Sequence, residues 1–243
     1  MSSRVRRYLH FLKSLAKINN RMLRAMWKFT KLKKPSVTVF GGARFPQEYK
    51  HAKTIYQITN KLVSEGYTIL TGGGAGLMEA ANYGALEYFN NHKPQKKKKI
   101  VSMGIGVARL GGANKHVQEF FTLPYFFARK WLLVRNAAGF IVGPGGFGTL
   151  DELSEILTLI QTHNMPNTPI VLIGKEYWQP FLDWVYNSAL KHHCITEEDA
   201  KLLNLTDDPD EACRIITSKC KEDSPIGIDA ESKEEPEGTQ KSD

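Results

Sequence analysis

Glu152 and Arg129 are the side chains whose type and setting could do chemistry, and the glycines before Glu152 say where. Residues 140–152 read Phe-Ile-Val-Gly-Pro-Gly-Gly-Phe-Gly-Thr-Leu-Asp-Glu. Phe140, Ile141 and Val142 predict the end of a buried parallel strand. Pro144, Gly145, Gly146 and Gly148 punctuate the chain, and from Thr149 to about Gln161 apolar residues recur at helical spacing. Strand, glycine turn and helix together make an anion site. Gly146 and Gly148 lack a Cβ, so a phosphate can approach the backbone, and the amides and dipole of the helix start favour its charge. Glu152 lies three residues after Thr149, so both project from nearly one side of the first turn. A carboxylate beside an anion site is electrostatically awkward, which suggests a task for it. Thr149-x-x-Glu152 is equally the spacing of a capping box, with Glu152 bonding the Thr149 backbone amide. Spacing alone leaves both readings open.

Residues 125–135, Tyr-Phe-Phe-Ala-Arg-Lys-Trp-Leu-Leu-Val-Arg, predict a largely buried helix leading into that strand. A buried arginine needs a partner or a purpose. For Arg129 one option is an ion pair with Glu152 or Asp151 that merely ties two helices together. Two earlier glycine turns follow predicted strands: Gly41-Gly42-Ala43-Arg44 after Val37–Phe40, and Gly72-Gly73-Gly74-Ala75-Gly76 after Tyr67–Leu70. A turn after the first strand is where doubly wound sheets place ligands, and Arg44 could reach a phosphate from it. The second turn partly imitates a dinucleotide fingerprint. Leu77 stands at the third glycine's place, however, and no acidic residue closes a strand about 20 residues on, so an NAD site is the weaker reading. Glu79, just after this turn, can be a first-turn acid satisfied by the helix dipole.

Pro144-Gly145-Gly146-Phe147-Gly148-Thr149-Leu150-Asp151-Glu152 resembles the PGGxGTxxE signature of the Lonely Guy (LOG) family of cytokinin-activating phosphoribohydrolases, whose relatives are often labelled lysine decarboxylases. Residues 71–82 resemble the family's GGGxGxMEAAN segment, and Arg129-Lys130 its RK pair, here preceded by Phe126-Phe127-Ala128 in place of a Met-His-x segment. Gly42 replaces the serine of the family's GSAR turn. Over about residues 36–220 the resemblance implies a homodimer or larger homo-oligomer with pockets near the subunit interface. It implies hydrolysis of the N-glycosidic bond of a nucleoside 5′-monophosphate, giving a base, adenine or an N6-substituted adenine, and ribose 5-phosphate, with no cofactor and no metal. It implies Arg129 and Glu152 as catalytic residues. Gly42, Arg44, Gly73, Gly74, Glu79, Lys130, Gly145, Gly146, Gly148, Thr149 and Thr158 would be substrate contacts. In this reading Glu79 holds the ribose or base, the amides of Gly145, Gly146, Gly148 and Thr149 hold the 5′-phosphate, and Arg129 orients Glu152 and keeps it ionised. The alternative is a non-catalytic carrier or sensor of a phosphorylated ligand, as in molybdenum-cofactor carrier relatives.

The elements that must position these residues follow from periodicity. Besides those above, strands are expected at Ile100–Ile105, Glu119–Leu123 and Pro169–Ile173, and helices at Ala52–Ser64, Trp178–Lys191 and Pro209–Lys219. The fold class is α/β: a Rossmann-like, doubly wound, mostly parallel sheet with helices on both faces. The 243 residues, 42% apolar, suffice for one such domain over 35–220. Residues 1–34 hold eleven of the 33 Lys and Arg and no acid, so the other 22 face all 25 acids, and the net charge of +8 belongs to an N-terminal arm. The arm's apolar stripe, Tyr8, Leu12, Leu15, Ile18, Met22, Met26 and Phe29, predicts an amphipathic helix. Docking of that stripe on the domain or a second subunit is the first expectation, an anionic membrane surface the second, with targeting or nucleic acid last. Residues 221–243 form an acidic tail expected to be disordered, and the run Lys96 to Lys99 a solvated one. Cys194, Cys213 and Cys220 show no CxxC and suit a reducing, cytoplasmic setting. No ligand spacing points to a metal, and no constellation around a Schiff-base lysine supports pyridoxal chemistry.

Overall fold

Every residue of β1 (Ser36–Phe40), β2 (Thr68–Thr71) and β3 (Ser102–Val107) is buried, as parallel strands covered on both faces require. With β4 (Glu119–Leu123), β5 (Ala137–Val142), β6 (Ile170–Leu172) and β7 (Leu203–Leu205) they form one parallel sheet in the order β4-β3-β2-β1-β5-β6-β7. The helices are α1 (Ser3–Phe29), α2 (Lys50–Ser64), α3 (Leu77–Asn91), α4 (Phe126–Arg135), α5 (Phe147–Gln161), α6 (Lys175–Trp184), α7 (Glu197–Ala200) and α8 (Pro209–Lys219). This computed structural model describes residues 3–32, 35–92, 99–108 and 111–219. Lys96 to Lys98, Cys220 and the acidic tail lie outside them.

Strand side chains alternate between the two faces. Val37, Val39, Ile69, Ile141 and Val171 pack with Ile55 and Leu62 of α2, Leu77 of α3 and Ile216 of α8. Phe40, Leu70, Met103, Ile105, Phe140 and Val142 pack with Leu132 and Leu133 of α4, Leu153 and Ile156 of α5 and Trp178 of α6. The chain builds outward from β1 to β4, then returns to pair β5 with β1, with Val39 opposite Ile141 and Phe40 opposite Val142. The crevice at the carboxyl ends of β1 and β5 is therefore the topological switch point, where doubly wound sheets bind ligands.

Two expectations are corrected, and two short elements are added. The helix after the glycine turn starts at Phe147, two residues before Thr149, because Gly146 takes an extended N-cap conformation. The single helix expected over Trp178–Lys191 is instead α6, begun at Lys175 and containing Pro180, followed by a π-helical turn over Val185–Leu190. The short elements α7 and β7 were not expected at all.

The stripe of α1 divides. Ile18, Ala25 and Phe29 are buried, with Met22 and Met26 packed beside them. Arg21 Nη1 donates to the Thr122 carbonyl at 2.8 Å and Lys28 Nζ pairs with Glu119 at 3.0 Å, fixing this half to β4. Tyr8, Leu12 and Leu15 of the same stripe remain exposed. Among the described residues no helix is long and apolar enough to cross a membrane.

Candidate active site

Main-chain hydrogen bonds draw the three glycine turns together. Gly42 N donates to Pro144 O at 2.9 Å, Gly143 N to Phe40 O at 2.9 Å, and Leu77 N to Gly42 O at 3.1 Å. Gly76, at φ +66°, comes so close that a Cβ there would lie 2.4 Å from Gly42 O, so only glycine fits the crossing. Under the second turn lies a buried polar cluster. Asn82 accepts from the Thr71 hydroxyl (2.8 Å) and from Asn114 Nδ2 (3.0 Å), and donates to Ser102 Oγ (2.9 Å). The Thr71 hydroxyl in turn accepts from Gly73 N at 2.9 Å. Each buried polar group thus has a partner, and the turn is held from beneath. Asn82 stands in the motif, but nothing in the sequence announced Asn114.

Arg129 enters this crevice from α4. Its Nε donates to the Ile105 carbonyl at 3.0 Å and its Nη1 lies 3.0 Å from Glu152 Oε1. The guanidinium passes over Gly72, where a Cβ would sit 2.3 Å from Nη2. Glu152 is 9% exposed. The structure excludes one reading of its spacing: Glu152 faces Arg129, and Gly146, not Thr149, is the N-cap of α5, so there is no capping box. One expectation is reversed. Burial pushes the Glu152 carboxyl up to about 7 although the Arg129 charge opposes it, so the guanidinium does not keep the acid ionised through the acidic range. Desolvation outweighs a single partner here.

The glycine turn is open on one side and closed on the other. A Cβ on Gly146 or Gly148 would meet nothing within 4 Å, whereas one on Gly145 would lie 2.1 Å from Thr149 Oγ1. Gly145 also gives its carbonyl to the Tyr177 hydroxyl. Thr149 is buried and its amide donates to Gly146 O at 3.0 Å, so that amide points into the helix. The amides of Phe147 and Gly148, at the first two helical positions, have no carbonyl four residues back within α5.

The other expected contacts are dispersed. Lys130 Nζ is 3.0 Å from both Asp151 and Glu155, joining α4 to α5. Thr158 is exposed and its hydroxyl donates to its own helix at Ser154 O, 2.8 Å away. Arg44 is exposed in the first turn. At Gly42 a Cβ would lie 2.6 Å from the Phe45 ring, which fills the space a serine would take. Gly73, at φ +75°, has Phe120 against it, and Gly74 has Met78. Glu79 lines a cleft of about 510 Å³ on the α2 and α3 side with Gln47, Tyr83, Lys115 and His116. Its carboxylate is 3.9 Å from His116 Nε2. Neither Arg129, Glu152 nor the 143–149 turn lines that cleft. Among the described residues no group of three or more His, Cys, Asp or Glu could hold a metal ion.

Sheet order and crevice define a doubly wound α/β protein with an open glycine turn and a buried acid–guanidinium pair at its switch point. The chain belongs to the family described as "Possible lysine decarboxylase", whose model matches residues 78–216, more than half its length. It is 29% identical over 178 residues to the pyrimidine/purine nucleotide 5′-monophosphate nucleosidase of Escherichia coli K12, covering 68% of this chain and 38% of that one. The chain therefore spans well under half the length of that relative. It is 26% identical over 162 residues to the cytokinin riboside 5′-monophosphate phosphoribohydrolase LOG7 of Arabidopsis thaliana, covering 66% and 68% of the two chains. The LOG resemblance of the nine-residue signature thus extends over 162 residues of the chain. Among solved structures, a molybdenum cofactor binding protein from Rippkaea orientalis superposes with a TM-score of 0.57 at 20% identity, covering 77% of this chain and 98% of that one, which shows a shared fold.

Proposed function

We propose that the protein hydrolyses the N-glycosidic bond of a nucleoside 5′-monophosphate, AMP or an N6-substituted AMP of the cytokinin type, releasing the base and ribose 5-phosphate. One observation carries the reading: a buried Glu152 held 3.0 Å from Arg129, beside a glycine turn with open space over Gly146 and Gly148. The 5′-phosphate would sit over that turn, against the amides of Phe147 and Gly148 at the positive end of α5. Remote binding energy then fixes the sugar over Glu152. As the bond to the base lengthens, positive charge develops on the ribose ring. The Glu152 carboxylate stabilises that charge and takes a proton from the attacking water, whose oxygen bonds the sugar carbon while the base leaves with the bonding pair and is protonated from solvent. A carboxyl near 7 suits both needs, since it is basic enough to accept the proton and partly ionised at neutral pH. Arg129, fixed by the Ile105 carbonyl, orients the acid and offsets its charge beside the phosphate. The names of the Escherichia coli and Arabidopsis relatives support the same reaction class. Glu79 takes no step in this scheme.

The working unit in this reading is a homodimer. Tyr125, Phe126 and Phe127, at the start of the helix that carries Arg129, are 44%, 55% and 62% exposed, an aromatic cluster that a second copy would cover. The test is to incubate wild type and Glu152→Gln with AMP and with N6-isopentenyl-AMP and measure released base by chromatography. Wild type should release base, and the variant should be slower by roughly a hundredfold or more. Equal release by both removes Glu152 from the mechanism. No release by wild type, with monophosphate binding retained by calorimetry, overturns hydrolysis in favour of a carrier or sensor.

A further inference from the structure

Helix α1 presents three faces, and the domain uses one of them. At about 100° per residue, Ile18, Met22, Ala25 and Phe29 share the sector that docks on the sheet edge and α4. Leu9, Leu12, Leu23 and Trp27 share a second sector roughly 60° wide, and they are 41%, 41%, 69% and 64% exposed. Lys13, Lys17, Arg24 and Lys31 fill a third sector beside it, all exposed. Ahead of Ile18 the apolar band widens to take in Phe11, Tyr8 and Leu15, also exposed. Even where α1 is anchored, a row of large apolar side chains therefore stays outside the core and ends in a tryptophan. Lys31 Nζ sits 5.1 Å from the Trp27 ring, the pairing of a flat amphipathic ring with a cation that suits a water–lipid boundary.

We infer that this face of α1 binds an anionic phospholipid surface, independently of the proposed catalytic reading. The apolar row would enter the acyl boundary while the flanking cations meet the headgroups. Charge selects this occupant. Between residues 3 and 32 there are nine Lys and Arg and no acid, so the same helix of a second copy would bring like charges together. A nucleic acid phosphate backbone would satisfy the cations but leave Leu9, Leu12, Leu23 and Trp27 in water. The anchored half sets the geometry, because Arg21 and Lys28 tie α1 to β4 and hold the row facing away from the domain.

The test is co-sedimentation of the full chain with vesicles of phosphatidylcholine alone or mixed with phosphatidylglycerol, at low and high salt. Three proteins are compared: wild type, Leu9→Ser/Leu12→Ser/Leu23→Ser, and Lys13→Gln/Lys17→Gln/Arg24→Gln. All six positions are exposed, and circular dichroism checks that each variant remains folded. Wild type should bind the mixed vesicles, bind phosphatidylcholine far more weakly, and lose affinity with salt. Removing three cations should weaken partition on the order of a hundredfold, and the serine variant should lose binding even at low salt. Base release from AMP in solution should be unchanged in both variants, so failure here is distinct from failure of the catalytic reading. Three results would overturn the inference: equal binding to neutral and anionic vesicles, no binding to either, or self-association or duplex DNA retention that the serine substitutions abolish without any lipid binding.

Discussion

Glu152 offers a thermodynamic test that needs no substrate. Its carboxyl moves from 4.5 to about 7 on folding, with burial the largest cause and the Arg129 charge opposing it. At 1.36 kcal/mol per pH unit this shift corresponds to about 3 kcal/mol. The folded pKa is raised, so the folded chain binds this proton more tightly than the unfolded chain does. The contribution is fully present below pH 4.5 and is lost as the pH rises through about 7. Glutamine does not titrate. Losing the Arg129 partner adds an offset to Glu152→Gln, but that offset should not vary with pH over this range. The stability of wild type minus that of Glu152→Gln should therefore fall by about 3 kcal/mol between pH 4.5 and roughly pH 8. Urea titrations followed by circular dichroism at several pH values would measure it, and all other titrating groups cancel in the difference. A flat difference would refute the argument, because it would mean that Arg129 holds the acid ionised despite burial.

Replacing Arg129 with Met should lower base release by about 10²–10³ and move the pH midpoint of the rate upward, since burial of Glu152 would then be unopposed. Arg129→Lys should not restore the rate, because one ammonium cannot serve both Ile105 O and Glu152 as the guanidinium does; a rate near wild type would contradict this. Gly72→Ala places a methyl 2.3 Å from Nη2 of Arg129 and should cut the rate while leaving the circular dichroism spectrum unchanged. Gly148→Ala meets nothing within 4 Å, so it should stabilise the helix start by about 0.5 kcal/mol yet raise KM for AMP, as read from melting curves and steady-state kinetics. Iodoacetamide at about pH 8 should label exposed Cys194 but not Cys213, whose thiol burial pushes up to about 12; peptide mapping by mass spectrometry checks this.

The sheet is legible because its first six strands lie where short runs rich in apolar residues stand, four of them, β1, β2, β5 and β6, closed by glycine. Leu203–Leu205 escaped because three residues with an asparagine in the middle carry no period. Capping-box spacing occurs twice in the chain, and one instance forms the box. Thr196-x-x-Asp199 forms one, with both reciprocal bonds, at the start of α7. Thr149-x-x-Glu152 has the same spacing but lies inside a helix that the extended Gly146 starts earlier. Residue type and burial narrow the partner of Arg129 to Glu152 or Asp151, and the structure pairs it with Glu152. The partner that aims Arg129 could not be named, because it is the main-chain oxygen of Ile105, and any residue there would supply it. The pKa of Glu152 was equally hidden, since sequence shows the neighbouring charge and not the missing water.

The hydrogen bonds that join the turns after β1, β2 and β5 are mostly between main-chain atoms, Gly42 N with Pro144 O and Leu77 N with Gly42 O, and Gln47 Nε2 adds one side-chain bond to Gly76 O at 3.1 Å. Routing of these loops thus depends on a few small residues and hardly on the chemistry displayed around them. Exposed side chains such as Phe126 and Phe127 can therefore change without re-laying the main chain that links the three turns. The framework and the groups it displays are thus separable, and one can vary while the other stays.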